Sequence, residues 1–353
     1  MTGRLESRPA LRIGPASLVR RPTMVLVSIV LVALLAVVLC IDIGRGDLPL
    51  SIADVTNILF GGGKRAERFI VMELRLPRAL TGMAVGAALG IAGALSQSIL
   101  RNPLASPDLL GVTAGAGVAA VAVIVGAPGA VTGLFATIGV PLAALVGALG
   151  TAAAIYVLAW RNGVDGYRLV LIGIAINAAM VAMVGWLLVD GKITDVAVAQ
   201  KWINGSLLDG SWDTLWPVLV GLVVAGGITL FNVLTLGAIR LGDDKARSLG
   251  VRLQAGQGLL LLASVVLAAV ATYAAGPVGF VALAAPQIAR RVLRTAGEPI
   301  IGSALIGAIL VVGSDVIART VLPVPLPAGI VTSALGGPFL LYLLVRNNRK
   351  VTT

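Results

Sequence analysis

The sequence has no histidine among its 353 residues. That excludes His-ligated metal sites and any Ser-His-Asp triad. Cys40 is the sole cysteine, so no internal disulfide can form, and its place in the first apolar run reads as an inert core thiol. No G-x-x-x-x-G-K-[ST] loop occurs. The nearest match, Gly61-Gly62-Gly63-Lys64, continues into Arg65 and lacks the upstream glycine. If ATP is used, a different chain must hold it. Charge is scarce too: 12% of residues are Asp, Glu, Lys or Arg, against roughly 25% in soluble domains. Too little charge is present to coat a water-facing surface.

What replaces it is apolar. Hydrophobic residues make up 58% of the chain and mean hydropathy is +1.00. Runs near or above the roughly 18 residues of a membrane span cover 24–41, 79–100, 109–127, 131–160, 169–189, 215–239, 257–275, 278–289, 300–318 and 328–345. The expected fold is an all-α polytopic membrane protein with about ten transmembrane helices. Residues 1–22 form an N-terminal tail, 23–346 the transmembrane domain and 347–353 a C-terminal tail. The run 131–160 is long, with Pro141 placed to kink it. The run 278–289 is short unless it extends towards Val292. Run 24–41 is too long and apolar for a signal peptide and is read as an uncleaved first span.

The net charge of +11 is mostly topology. With the N-terminus in the cytoplasm and strict alternation, inner segments hold 18 of the 27 basic residues and 6 of the 16 acidic ones. That is the positive-inside bias, and it puts both tails in the cytoplasm and argues against nucleic acid as a partner. One outer segment departs from it: residues 64–78 carry Lys64, Arg65, Arg68, Arg75 and Arg78. Local pairing with Glu67 and Glu73 and a docking surface for an acidic partner both account for the cluster. Upstream, Ser51 and Asp54 can cap a short amphipathic helix over 55–60, ended by Gly61-Gly62-Gly63. Gly82, Gly86, Gly90 and Gly93 share the second run, a spacing that lets helices approach closely. Trp186, Trp202, Trp212 and Trp216 flank the outer loop 190–214 as interfacial anchors, with a short helix over 196–203.

Three stretches carry a resemblance. The first is Arg75-Leu76-Pro77-Arg78, followed by Gly86-Ala87-Ala88-Leu89 and Arg101-Asn102-Pro103-Leu104-Ala105-Ser106-Pro107-Asp108-Leu109-Leu110-Gly111. The second is Leu241-Gly242-Asp243-Asp244-Lys245-Ala246-Arg247-Ser248-Leu249-Gly250-Val251. The third is Ala275-Gly276-Pro277-Val278-Gly279-Phe280-Val281 through Ala285-Pro286-Gln287-Ile288-Ala289-Arg290, and the tail 327–338 fits as well. Together they resemble the FecCD family of permeases for iron–siderophores, haem and vitamin B12, over residues 24 to 346.

The resemblance implies a vitamin-B12-importer-like permease fold in the bacterial inner membrane. It implies a second permease as partner, two ATPase subunits that use ATP and Mg, and a substrate-binding protein that delivers cargo. This chain itself would bind no cofactor and catalyse nothing. Leu241, Gly242, Asp243, Asp244, Ala246, Arg247, Leu249 and Gly250 would form the coupling helix gripped by the ATPase. Arg75, Arg78 and Arg319, the last in Asp315-Val316-Ile317-Ala318-Arg319, would dock acidic residues of the binding protein. Asn102 and Leu104, with Gly166 and Tyr167, match a cytoplasmic gate. Gln287 stands where many members have histidine, a variant similar to heterodimeric permeases for ferric siderophores. A proton- or ion-coupled transporter would instead need buried acids in the spans, where Asp315 is the one acid that reads as deep. A membrane enzyme would need clustered Asp or His at a membrane face.

Overall fold

The computed structural model describes residues 10–13, 16–19, 22–46, 48–126, 130–160, 166–189 and 191–348. Most of both tails and the inner-loop residue Asp165 lie outside the described residues. Within the N-terminal tail, Ala10–Ile13 (β1) and Ala16–Val19 (β2) pair as an antiparallel hairpin. Among the described residues, the rest is helical or connecting chain.

Helix α1 (Pro22–Gly44) is followed by the short α2 (Ile52–Leu59). Ser51 caps α2: its hydroxyl accepts from the Asp54 N–H while the Asp54 carboxylate accepts from the Ser51 N–H. This reciprocal pairing satisfies two amides the helix start would leave open. The Ser51 hydroxyl, donating to the Asp54 carboxylate at 2.6 Å, and then the Ser51 N–H hold that carboxyl below its ordinary pKa. The helix starts three residues earlier than hydropathy suggests because the cap, not the first apolar side chain, fixes its beginning.

Residues 64–78 are not a loop. Helix α3 (Arg65–Phe69) passes through a π-helical turn, Ile70–Arg75, into α4 (Leu76–Leu100), giving continuous helix over Arg65–Leu100. The wide turn lies just before Pro77, whose missing N–H and ring would otherwise break the ladder.

The chain then runs through α5 (Val112–Val125), α6 (Ala130–Ala159), α7 (Gly166–Val189), the amphipathic α8 (Ile193–Ile203) and α9 (Trp212–Phe231). Next come α10 (Val233–Ile239), α11 (Asp243–Ser248), α12 (Leu253–Ala275), α13 (Val281–Val292), α14 (Ile300–Thr320) and α15 (Ala328–Asn348). Among the described residues, seven helices are long and apolar enough to cross a membrane, and Val112–Val125 and Ala328–Tyr342 are shorter apolar helices. Nine of the ten expected runs fall on these helices; the tenth, 278–289, falls on α13, which carries Arg290 and Arg291 and is not counted with them.

Two runs are divided. In α6 the backbone breaks at Gly139 (φ 76°, ψ 165°), two residues before Pro141. Glycine takes up a conformation that the proline's fixed ring demands of its surroundings. The run 215–239 breaks at Asn232, whose side-chain amide donates to the Ile228 carbonyl at 2.9 Å. That bond satisfies an acceptor at the end of α9.

The core mixes many alanines and glycines with Leu, Ile and Val. Helices α4, α12 and α14 are its most buried long elements. Gly86 and Gly90 of α4 lie against the Gly307 and Ser303 carbonyls of α14, so a methyl at either glycine would overlap backbone. In lipid such backbone approach, rather than water exclusion, holds helices together. Alternation of the spans puts residues 44–78, 190–211, 276–280 and 320–327 at one end of the bundle. The other end holds residues 100–111, 239–252 and 292–299.

Candidate functional site

At the first of these ends four charged side chains meet. Arg78, in the first turn of α4, donates through Nε and Nη2 to both carboxylate oxygens of Asp315 on α14, at 3.2 and 2.8 Å. Such two-pronged pairing is the strongest geometry open to arginine and carboxylate. Arg319, one turn further along α14, brings Nε to 2.9 Å from Asp315 Oδ2. Its Nη2 forms an ion pair with Asp42 of α1. Asp42 and Asp315 are each about 2% exposed. The helix α1 extends beyond the first apolar run and so carries a second deeply buried acid besides Asp315. Arg75 lies beside the cluster and donates to the Ile43 and Leu48 carbonyls at 3.0 and 2.8 Å. The three arginines singled out in the sequence are therefore gathered within one corner, each bonded within the chain. Lys64 pairs with Glu67 at 3.7 Å.

At the opposite end, Gly242 (φ 105°) and Gly250 (φ 76°) bracket α11. Neither faces a crowded neighbour, so it is the backbone turn that needs glycine there. Ala246 is fully buried, and the Val251 N–H returns to its carbonyl at 3.2 Å. Asp244, Lys245 and Arg247 are exposed. Leu241 and Leu249 are 57% and 64% exposed. The segment is rooted by one small residue and offers a mixed apolar and charged face outward.

Close by is a cavity of about 410 Å³ lined in part by Arg101, Asn102, Gly166, Tyr167 and Gln257. Asn102 Oδ1 accepts from the Leu104 N–H at 2.9 Å, closing the turn over Pro103. Three of the four residues matched to a gate thus share one cavity. Leu104 is joined to it through Asn102 rather than lining it.

The sequence reading did not single out a second polar cluster at this end. Glu298, just before α14, accepts from Ser98 Oγ at 3.0 Å and from Arg290 Nη1 at 3.2 Å. Arg240 Nη2 donates to Ser98 Oγ at 3.0 Å and to the Glu298 carbonyl at 2.8 Å, with its guanidinium 3.9 Å from the Glu298 carboxylate. Burial pushes the Arg240 pKa down, and the charge of Glu298 opposes that shift. The available signal was an isolated acid on an arginine-rich side. Deeper in the bundle Gln287 Nε2 donates to Gln97 Oε1 at 2.6 Å, and Gln97 Nε2 to the Leu283 carbonyl at 3.1 Å.

Seven helices able to cross a membrane among the described residues, shorter apolar helices beside them and glycines that bring α4 and α14 into backbone contact describe a polytopic membrane protein. The FecCD transport family model matches residues 34–346, and the chain belongs to that family. It is 37% identical to the ferric enterobactin transport system permease protein FepG of Escherichia coli, over 91% of this chain and 98% of that protein. It is also 37% identical to the iron(3+)-hydroxamate import system permease protein FhuG of Bacillus subtilis, over 89% and 95%. The fold matches an inward-facing metal-chelate type ABC transporter with a TM-score of 0.79 at 24% identity, covering 91% of this chain and 99% of the other. Members of this family are permease subunits, and ATP hydrolysis lies in separate subunits.

Proposed function

We propose that this chain is one permease of an inner-membrane ABC importer for a ferric siderophore. It works by alternating access, with a second, non-identical FecCD-type permease beside it. The carrying observation is α11: a short helix held between glycines, rooted by Ala246, with Leu241 and Leu249 exposed beside it. Exposed leucines at the end of a membrane bundle suit a protein groove better than water or lipid headgroups. A pair of ATPase subunits, holding ATP and Mg, would grip this segment. The end carrying α11 is cytoplasmic, in line with the 18 basic residues assigned to that side, and both termini lie there. The cavity at Asn102, Gly166 and Tyr167 is the inner gate.

Arg75, Arg78 and Arg319 form the docking corner for acidic residues of a substrate-binding protein. Arg78 and Arg319 already hold internal carboxylates, so docking there exchanges partners instead of capturing free cations. The cargo class is supported by the ferric enterobactin and iron(3+)-hydroxamate permeases to which the chain is similar. Gln287, buried against Gln97, supports the ferric-siderophore, heterodimeric branch.

The test is uptake of iron-loaded catecholate and hydroxamate siderophores into proteoliposomes holding the complete complex. Uptake needing both internal ATP and external binding protein is the expected result. Uptake that ignores ATP and follows a proton or sodium gradient overturns the proposal.

A further inference from the structure

Arg240 is the residue before Leu241, where the segment carrying α11 begins. Its guanidinium is held by three oxygens: Ser98 Oγ at 3.0 Å, the Glu298 carbonyl at 2.8 Å and, at 3.9 Å, the Glu298 carboxylate. Gly297 packs so closely on that guanidinium that a side chain there would overlap it. The Glu298 carboxylate in turn accepts from Ser98 in the last turn of α4 and from Arg290 in the last turn of α13, and Glu298 itself leads into α14. The Glu298 carboxylate, 10% exposed, thus reaches Arg240 through Ser98 and an ion pair at 3.9 Å, binds α4 and α13 through Ser98 and Arg290, and stands directly before α14.

Two of those helices are joined again at the far end. Arg78 near the start of α4 holds Asp315 near the end of α14, and between the two fastenings Gly86, Gly90 and Gly307 bring the backbones into contact. Helices locked at both ends and packed backbone to backbone move as one body, because close-packed interfaces resist gradual deformation.

We infer that Glu298 is the positioning residue that fastens the α11 segment to the α4–α14 pair, so that displacement of α11 is carried to the Arg78–Asp315–Arg319 corner. The inference rests on the proposed coupling role of α11. Arg240 alone could drag the chain locally. Glu298 adds the connection to α13 and α14 and neutralises two cations that would otherwise repel.

The experiment uses the full complex with its ATPase and second permease in nanodiscs. In a Cys40→Ser background, Thr320→Cys, exposed beside Arg319, is labelled by a maleimide with and without ATP–vanadate. A nucleotide-dependent labelling rate is expected for the parent. In Glu298→Gln the ATPase remains bound and active, while the nucleotide-dependent change falls about fivefold or more, the low end of ordinary coupling. Glu298→Asp restores most of it, which a purely structural role would not require.

An unchanged response in an assembled Glu298→Gln complex overturns the inference. Should that variant fail to assemble, Ser98→Ala decides: it removes one acceptor and donor without stranding a charge. An expected drop of about threefold supports the inference, and an undiminished response overturns it. A parent complex with no nucleotide response at Thr320→Cys removes the coupling role of α11, and Glu298's role with it. A parent response that survives the variants removes only the latter.

Discussion

Asp315 accepts two hydrogen bonds from Arg78 and pairs in charge with Arg319, and its burial makes removal of a cation costly. A buried acid stripped of its cation loses far more than the pair itself contributes, about 3–5 kcal/mol. We therefore expect Arg78→Ala to lower the melting temperature of the detergent-purified complex markedly. Arg75→Ala should change it little, because Arg75 bonds to backbone carbonyls at a partly exposed rim. A melting curve for Arg78→Ala matching the parent would show that Arg319 alone suffices for Asp315. Gln287→Ala leaves Gln97 Oε1 without its donor inside the bundle, at a cost of about 1–3 kcal/mol, measurable in the same assay. Both residues stood out in the sequence, Arg78 as a cation on the wrong side and Gln287 as a departure from a familiar motif. Asp315 stood out too, as a deep acid, but neither its pairing with Arg78, 237 positions away, nor that of Gln287 with Gln97, 190 away, was legible.

Elements owe their boundaries to local chemistry. The capping pair at Ser51 and Asp54 sets the start of α2, and the depressed Asp54 pKa gives it a pH sense. A carboxyl lowered in the folded state supports folding above its unfolded pKa and loses that support as pH falls through its folded value. Protection of α2 amides, relative to the unstructured exchange rate at the same pH, should thus fall on acidification below about pH 4, and Ser51→Ala should abolish that dependence. Between long helices the controlling feature is size. Gly90→Ala puts a methyl onto the Ser303 carbonyl, and such overpacking costs about 1–3 kcal/mol. Thermal stability should fall for Gly90→Ala yet hold for Gly226→Ala, which faces open space. Equal stability in the two variants would argue against close α4–α14 contact. The glycine spacing was visible in the sequence, but which helix it faced was not.

For the whole molecule, sidedness is the property that everything else depends on. In the Cys40→Ser background, a membrane-impermeant maleimide should label Ala53→Cys in intact spheroplasts. Ser248→Cys on α11 should react only after permeabilisation. The reverse pattern would invert the topology and exclude α11 from contact with cytoplasmic ATPase. Leu249→Asp should leave the chain folded in the membrane while abolishing co-purification of the ATPase, since a charge would replace an exposed apolar side chain in the proposed grip.

The sequence alone determined the family, that this chain is built of apolar membrane helices, and that short helices follow Ser51 and Gly242. Those follow from composition, run length, capping and glycine, all local and all written in consecutive residues. Tertiary structure decided that residues 64–78 are helix and that α6 and the run 215–239 break at Gly139 and Asn232. It also decided that Arg78 and Arg319 hold buried carboxylates and that Glu298 gathers three helices around Arg240. Those depend on which side chains meet across the bundle, and in lipid a buried charge must find its partner wherever the fold brings one near.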